Sequence, residues 1–146
     1  MTGAGSEWPE YASYDSAPAD IQRLLDLLIP KLLEGEHSML AIFREQYRQC
    51  ELRDIALTGA GLYADFDVPA AAPRVVIPDF PAGSAYIELA RTPHGAGCVM
   101  HVCDGALRTL EIYVYGDKWP QPCHVLEIRD VVPVVPSLWV VPDIGA

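Results

Sequence analysis

The sequence predicts an α+β domain: two N-terminal helices packed on a mainly antiparallel sheet of about four to six strands. Three observations carry this. Apolar residues recur at three- and four-residue spacing from Ile21 to Leu32 and again from Met39 to Cys50. After Glu51 the chain turns to short runs of β-branched and aromatic residues cut by Gly and Pro. Between two of those runs stands Asp104-Gly105, a favoured hairpin loop because a type I′ turn needs positive φ at both central positions. Helices segregated in sequence from strands make an α+β fold.

The first helix starts near Pro18, with Ser16 as the expected N-cap and Pro18 in the first turn. Ile21, Leu24, Leu25, Leu28 and Leu32 form its apolar stripe. Pro30 lacks an amide proton and crowds the preceding turn, so it either kinks this helix or begins a new segment. Gly35 is the expected stop. The second helix, capped by Ser38, runs to about Cys50 with Met39, Phe43, Tyr47 and Cys50 on its core side.

Leu52 to Leu57 and Leu62 to Val68 read as two strands, with the glycines of Thr58-Gly59-Ala60-Gly61 allowing the bend between them. Residues 69–84 hold Pro69, Pro73, Pro78 and Pro81, a surface loop with an edge piece at Arg74 to Ile77. Tyr86 to Ala90 is a further short strand, and Cys123 to Val132 supplies one more. The hairpin between them, Val99 to Cys103 and Leu107 to Tyr115, is the central ribbon. A two-residue loop sets Cys103 opposite Ala106, His101 opposite Arg108, and Cys98 opposite Glu111. Both faces of that ribbon are substantially apolar, which predicts a covered sheet.

Residues 1–17 carry Trp8, Tyr11 and Tyr14 among small and acidic residues without a period, and read as a loosely ordered acidic arm. Residues 18–146 form the single domain. Its last stretch, VVPVVPSLWVVPDIGA, is apolar but broken by proline, and is expected to lie along the body, held by Trp139.

Composition narrows the function classes. Hydrophobic residues at 51% and charged residues at 21% give a globular rather than a disordered chain. A net charge of -10 opposes a nucleic-acid phosphate track, which needs clustered Lys and Arg, and suits a basic protein partner. No secretory signal and no apolar run of about 20 residues is visible, so neither export nor membrane spanning is expected. The expected compartment is the cytoplasm, with Cys50, Cys98, Cys103 and Cys123 as reduced thiols.

Candidate chemistry is sparse. Gly59-Ala60-Gly61-Leu62-Tyr63-Ala64 fits a relaxed dinucleotide-binding pattern, but that mechanism needs a helix beginning at the glycines, and an extended segment follows. His94, Cys98, His101, Cys103, Cys123 and His124 make a list of metal-type ligands without a C-x-x-C knuckle, so neither metal nor cofactor is expected. Glu111 lies between Leu110 and Ile112, where a carboxylate is costly unless hydrogen-bonded or wet; Arg53, Arg74 and Arg91 are the expected partners. Glu111 with Cys98 and Tyr113 defines one candidate site, and Asp65 with Asp67, on one strand face, another.

The element Leu57 to Phe66 and the hairpin Asp104 to Pro120 together resemble a group of small, uncharacterised bacterial proteins. That group carries a TGxGxxxxF element followed by a DGxLxxLExYxYGDxWP-like hairpin. The resemblance spans roughly Met39 to Pro120. It implies a small α+β domain and supplies no catalytic residues. The net charge of -10 and the lack of a persuasive catalytic set lead to the expectation of a non-enzymatic acidic binding protein, an immunity-type inhibitor or adaptor for a basic protein partner. The alternative is a small enzyme or ligand-binding domain with a pocket near Glu111, Cys98 and Tyr113.

Overall fold

The structure, a computed structural model, describes residues 8–136. Two helices, α1 (Ala19–Leu32) and α2 (Ser38–Gln49), precede most of the strands. The strands are β1 (Glu10–Ser13), β2 (Glu51–Leu57), β3 (Gly61–Asp67), β4 (Phe80–Ala82), β5 (Ser84–Leu89), β6 (Ala96–Cys103), β7 (Ala106–Val114) and β8 (Val125–Val132). All join one antiparallel sheet in the order β1-β2-β3-β7-β6-β5-β8, with β4 pairing β6 beyond β5. The class is α+β as expected, but eight strands replace the expected four to six.

The added strands come from segments with weak patterns. β1 belongs to the stretch expected as a loose arm. It is short and lies at the sheet edge, pairing Tyr11 with Ile55 and Ser13 with Arg53, so too few residues face inward to set a period. Trp8, Tyr11 and Tyr14 all pack against the core. β4 contains Pro81, which disguised it as loop. The edge piece expected at Arg74 to Ile77 is not a strand; Val75 N donates instead to Gly105 O at 3.1 Å.

Helix α1 runs through Pro30, which falls in its last turn. Losing one intrahelical bond there is offset by burial of Ile29, Leu32 and Leu33 around it. Neither expected cap is used. Pro18 occupies the N-cap of α1, and His37 Nδ1 accepts from Met39 N at 3.1 Å to cap α2. Helix α2 buries Leu40, Phe43 and Gln46, leaving Met39, Tyr47 and Cys50 half-buried.

At the hairpin, Asp104 (φ 54°) and Gly105 (φ 74°) both take positive φ, as a type I′ turn requires. Cys103 pairs with Ala106 and Val102 with Leu107, but His101 then pairs with Thr109. Arg108 is therefore an extra residue, and every later pair moves by one. Cys98 faces Ile112 and Val99 faces Glu111, so the expected pairing of Cys98 with Glu111 is overturned. The reason is burial. Leu107 and Leu110 both enter the core, and three residues apart on an unbroken strand they would point to opposite faces.

This bulge also sorts the ribbon into two unlike faces. Cys98, Met100, Val102, Leu107, Leu110, Ile112 and Val114 are buried in one cluster with the apolar residues of α1 and α2. On the opposite face Tyr63 is 38% and Tyr115 43% exposed. The ribbon is central in strand order but is not covered on both sides.

The Thr58-to-Gly61 turn knits the two halves of the sheet. Gly59 O accepts from Trp119 N at 2.7 Å and Ala60 O from Val114 N at 2.8 Å. Gly61 lies so close to the Ile112 carbonyl that a Cβ would collide with it. The glycine pattern thus serves strand-to-strand contact, and a strand follows it rather than a helix. At the end of the described chain Val134 is buried and donates its amide to Leu32 O at 2.9 Å. Trp139, expected to pin the tail, lies outside the described residues. No helix among the described residues is long and apolar enough to cross a membrane.

Candidate site on the open face of the sheet

Three strands build the open face. Antiparallel register aligns their residues in rows: Asp65 with Thr109 and His101, Tyr63 with Glu111 and Val99, and Gly61 with Tyr113 and Gly97. Glu111 is the centre of this array. Its Oε2 accepts from the Tyr63 hydroxyl at 3.2 Å, and its Oε1 faces His101 Nε2 at 3.4 Å. Beside it Thr109 Oγ1 donates to Asp65 Oδ1 at 2.8 Å. None of the three arginines expected to partner Glu111 does so. Arg53 binds Glu51 and Asp67, Arg74 the carbonyls of Val68, Pro69 and Ala72, and Arg91 that of Pro122.

The glycine row shapes the aromatic part. Gly61 and Gly97 flank Tyr113, and a Cβ on Gly97 would strike the Tyr113 ring and the Tyr115 hydroxyl. Tyr113 and Tyr115 meet edge to face, centroids 5.6 Å apart. Thr58, Ala60, Gly61, Tyr63, Glu111, Ile112 and Tyr113 line a recess of about 120 Å³. Two hydroxyls here resist ionisation. The hydrogen bond to Glu111, then its charge, raises the Tyr63 pKa; burial and then the neighbouring Tyr115 raise that of Tyr113.

Of the residues singled out from sequence, Glu111, Tyr113 and Asp65 come together on this face. Asp67 sits at the end of β3, where its Oδ2 meets Arg53 Nε at 3.1 Å. Cys98 is on the other side of the sheet, 1% exposed, its thiol pushed up to about 12 by burial. A single pocket holding Glu111, Cys98 and Tyr113 therefore does not form. The metal-type ligands are scattered as well. Cys123 is buried with its amide on Asp20 Oδ2 at 2.9 Å, and among the described residues no three His, Cys, Asp or Glu side chains converge.

Sequence reasoning brought neither Tyr63 nor His101 to Glu111: the antiparallel pairing of β3 with β7 places Tyr63 there, and the shifted β6–β7 register turns His101 to the same face. It also missed a second, larger cleft of about 390 Å³ lined by Tyr14, Asp15, Asp26, Tyr47, Cys50 and Glu51 among others. There the Tyr14 hydroxyl donates to Asp26 Oδ2 at 2.7 Å. That bond, first, and burial hold the Tyr14 pKa near 12; burial does the same for Tyr47 and lifts Cys50 to about 11. No sequence signal joins these residues, because docking of β1 assembles the cleft.

Comparison with protein-family models, with curated proteins and with solved structures finds no match for this chain.

Proposed function

We propose that the protein is a non-enzymatic binding protein, an inhibitor or adaptor that takes a basic protein partner on the open face of its sheet. The supporting observation is the array around Glu111: a carboxylate bonded by Tyr63 and His101, with Tyr113 and Tyr115 further along the same strand, on a face the helices leave uncovered. Tyrosines combine large contact area with little entropy loss, and interface centres are enriched in them. The net charge of -10 would steer a basic partner toward the protein. The sheet edge at β8 is a poor alternative. Its register shifts, and it carries Glu127, Arg129 and Asp130 with Asp130 at φ 57°, features that oppose strand addition.

The test is capture of partners from the source cell on immobilised protein at about 0.05 M and about 1 M salt, where screening lengths differ several-fold. A partner retained at low salt, released at high salt and lost on Tyr63→Ala with Tyr115→Ala is the expected result. Finding no salt-sensitive partner, or one indifferent to the double substitution, rejects this reading. A small enzyme or ligand-binding domain remains the second reading, favoured by the 390 Å³ cleft rather than by the expected Cys98 pocket.

A further inference from the structure

We infer that the recess beside Glu111 receives one arginine side chain of the partner, its guanidinium meeting the carboxylate between Tyr63 and Tyr113. This rests on the basic-partner reading and adds to it the identity of the central contact. Size comes first. A recess of about 120 Å³ has room for a few waters, the scale of one side-chain head and not of a nucleotide or a folded element. Its floor is low because Ala60 and Gly61 contribute almost no side chain.

Charge comes second. An ionised carboxylate offers about four acceptor positions. Tyr63 takes one of those on Glu111 and His101 lies at a second, which leaves acceptor capacity on both oxygens. No arginine or lysine of the described residues pairs with Glu111. A single carboxylate is too little for a hard divalent cation, which needs several oxygen ligands. An anion would be repelled.

The aromatic walls choose between the two basic side chains. A planar guanidinium can stack on tyrosine rings while forking onto a carboxylate, whereas a lysine ammonium is a compact, strongly hydrated point charge. The stacking half of this arrangement is present at Arg129, whose guanidinium lies 4.4 Å above the Tyr86 ring with one nitrogen 3.7 Å from Glu88.

The experiment is an amide-resolved NMR titration of the full chain with N-acetyl-arginine methylamide. Its citrulline analogue, similar in shape and uncharged, and its lysine analogue serve as comparison probes. The expected result is saturable shifts centred on Tyr63, Glu111 and Tyr113 at roughly millimolar probe, at least about tenfold weaker for citrulline and weaker for lysine. Glu111→Gln should weaken arginine binding by a similar factor while amide shifts elsewhere stay in place, showing an intact fold. Unchanged affinity in Glu111→Gln, shifts mapping to the Tyr14–Tyr47 cleft, or no saturable shift overturns the inference. A salt-sensitive partner that binds Glu111→Gln as tightly as the parent protein overturns the arginine recess alone. Failure to capture any such partner overturns the broader reading instead.

Discussion

Gln46 of α2 accepts a hydrogen bond from the Leu107 amide of β7 at 3.0 Å, deep in the core and 61 residues away in sequence. The same side chain donates to the carbonyls of Gly105, at 3.0 Å, and Pro73, at 2.8 Å. A fully buried amide thus ties helix, hairpin turn and Pro-rich loop together. Gln46→Leu is expected to cost about 2–3 kcal/mol, because the buried Leu107 amide loses its partner. Urea unfolding measures this. A loss below about 1 kcal/mol would mean that water replaces the side chain.

The two glycines flanking Tyr113 should answer differently to the same substitution. Gly61→Ala forces a methyl group against the Ile112 backbone, which cannot step aside, and should cost about 3 kcal/mol. Gly97→Ala meets only the ends of Tyr113 and Tyr115, which can rotate, and should cost under about 1 kcal/mol. Thermal unfolding of both variants tests the contrast. Gly97→Ala should nonetheless shift the Tyr113 and Tyr115 ring resonances and weaken partner capture.

Burial holds both Cys98 and Cys123 as thiols, their pKa raised from 9.0 to about 12. Iodoacetamide at pH 8 should therefore spare both in the native protein, with half-buried Cys103 as an internal comparison. The stability consequence follows from the direction of the shift. The unfolded thiols ionise first, so their contribution is complete below about pH 9 and is lost as pH rises toward 12. Urea midpoints at pH 8 and pH 10.5 should fall in that order, and the fall should shrink in Cys98→Ala.

Tyr14 loses its proton near pH 12 because its hydroxyl is bonded to Asp26. Asp26→Asn should bring that ionisation back toward 10, seen as an earlier absorbance step at alkaline pH. An unchanged titration would show that the bond is not made in solution.

Local chemistry made much of the fold legible. Asp104-Gly105 named its own turn, the leucine spacing of α1 named its buried side, and the glycines of Thr58-Gly59-Ala60-Gly61 marked a bend. What escaped depended on partners distant in sequence. Nothing local to Glu10–Ser13 says that β2 offers it an edge. The Arg108 bulge follows from the core's demand for both Leu107 and Leu110, and it decides which residues share the face with Glu111. The candidate site was therefore half visible: Glu111, Tyr113 and Asp65 were singled out, but Cys98 was placed with them through a register off by one.

The sheet is also divided by position along the chain. β1, β2 and β3 come from residues 10–67 and β4 to β8 from residues 80–132, so a single covalent crossing, the Pro-rich loop, joins the halves. They grip each other elsewhere without it: along β3 and β7, at the bonds of Gly59 and Ala60 to Trp119 and Val114, and where Asp20 meets Cys123. The loop is thus a tether across an interface that already exists, and the molecule is laid out like a heterodimer written as one polypeptide. Cut between residues 69 and 79, its two pieces would still carry complementary surfaces, and the site at Glu111 would form only on their reunion, since Tyr63 belongs to one piece and Glu111 to the other.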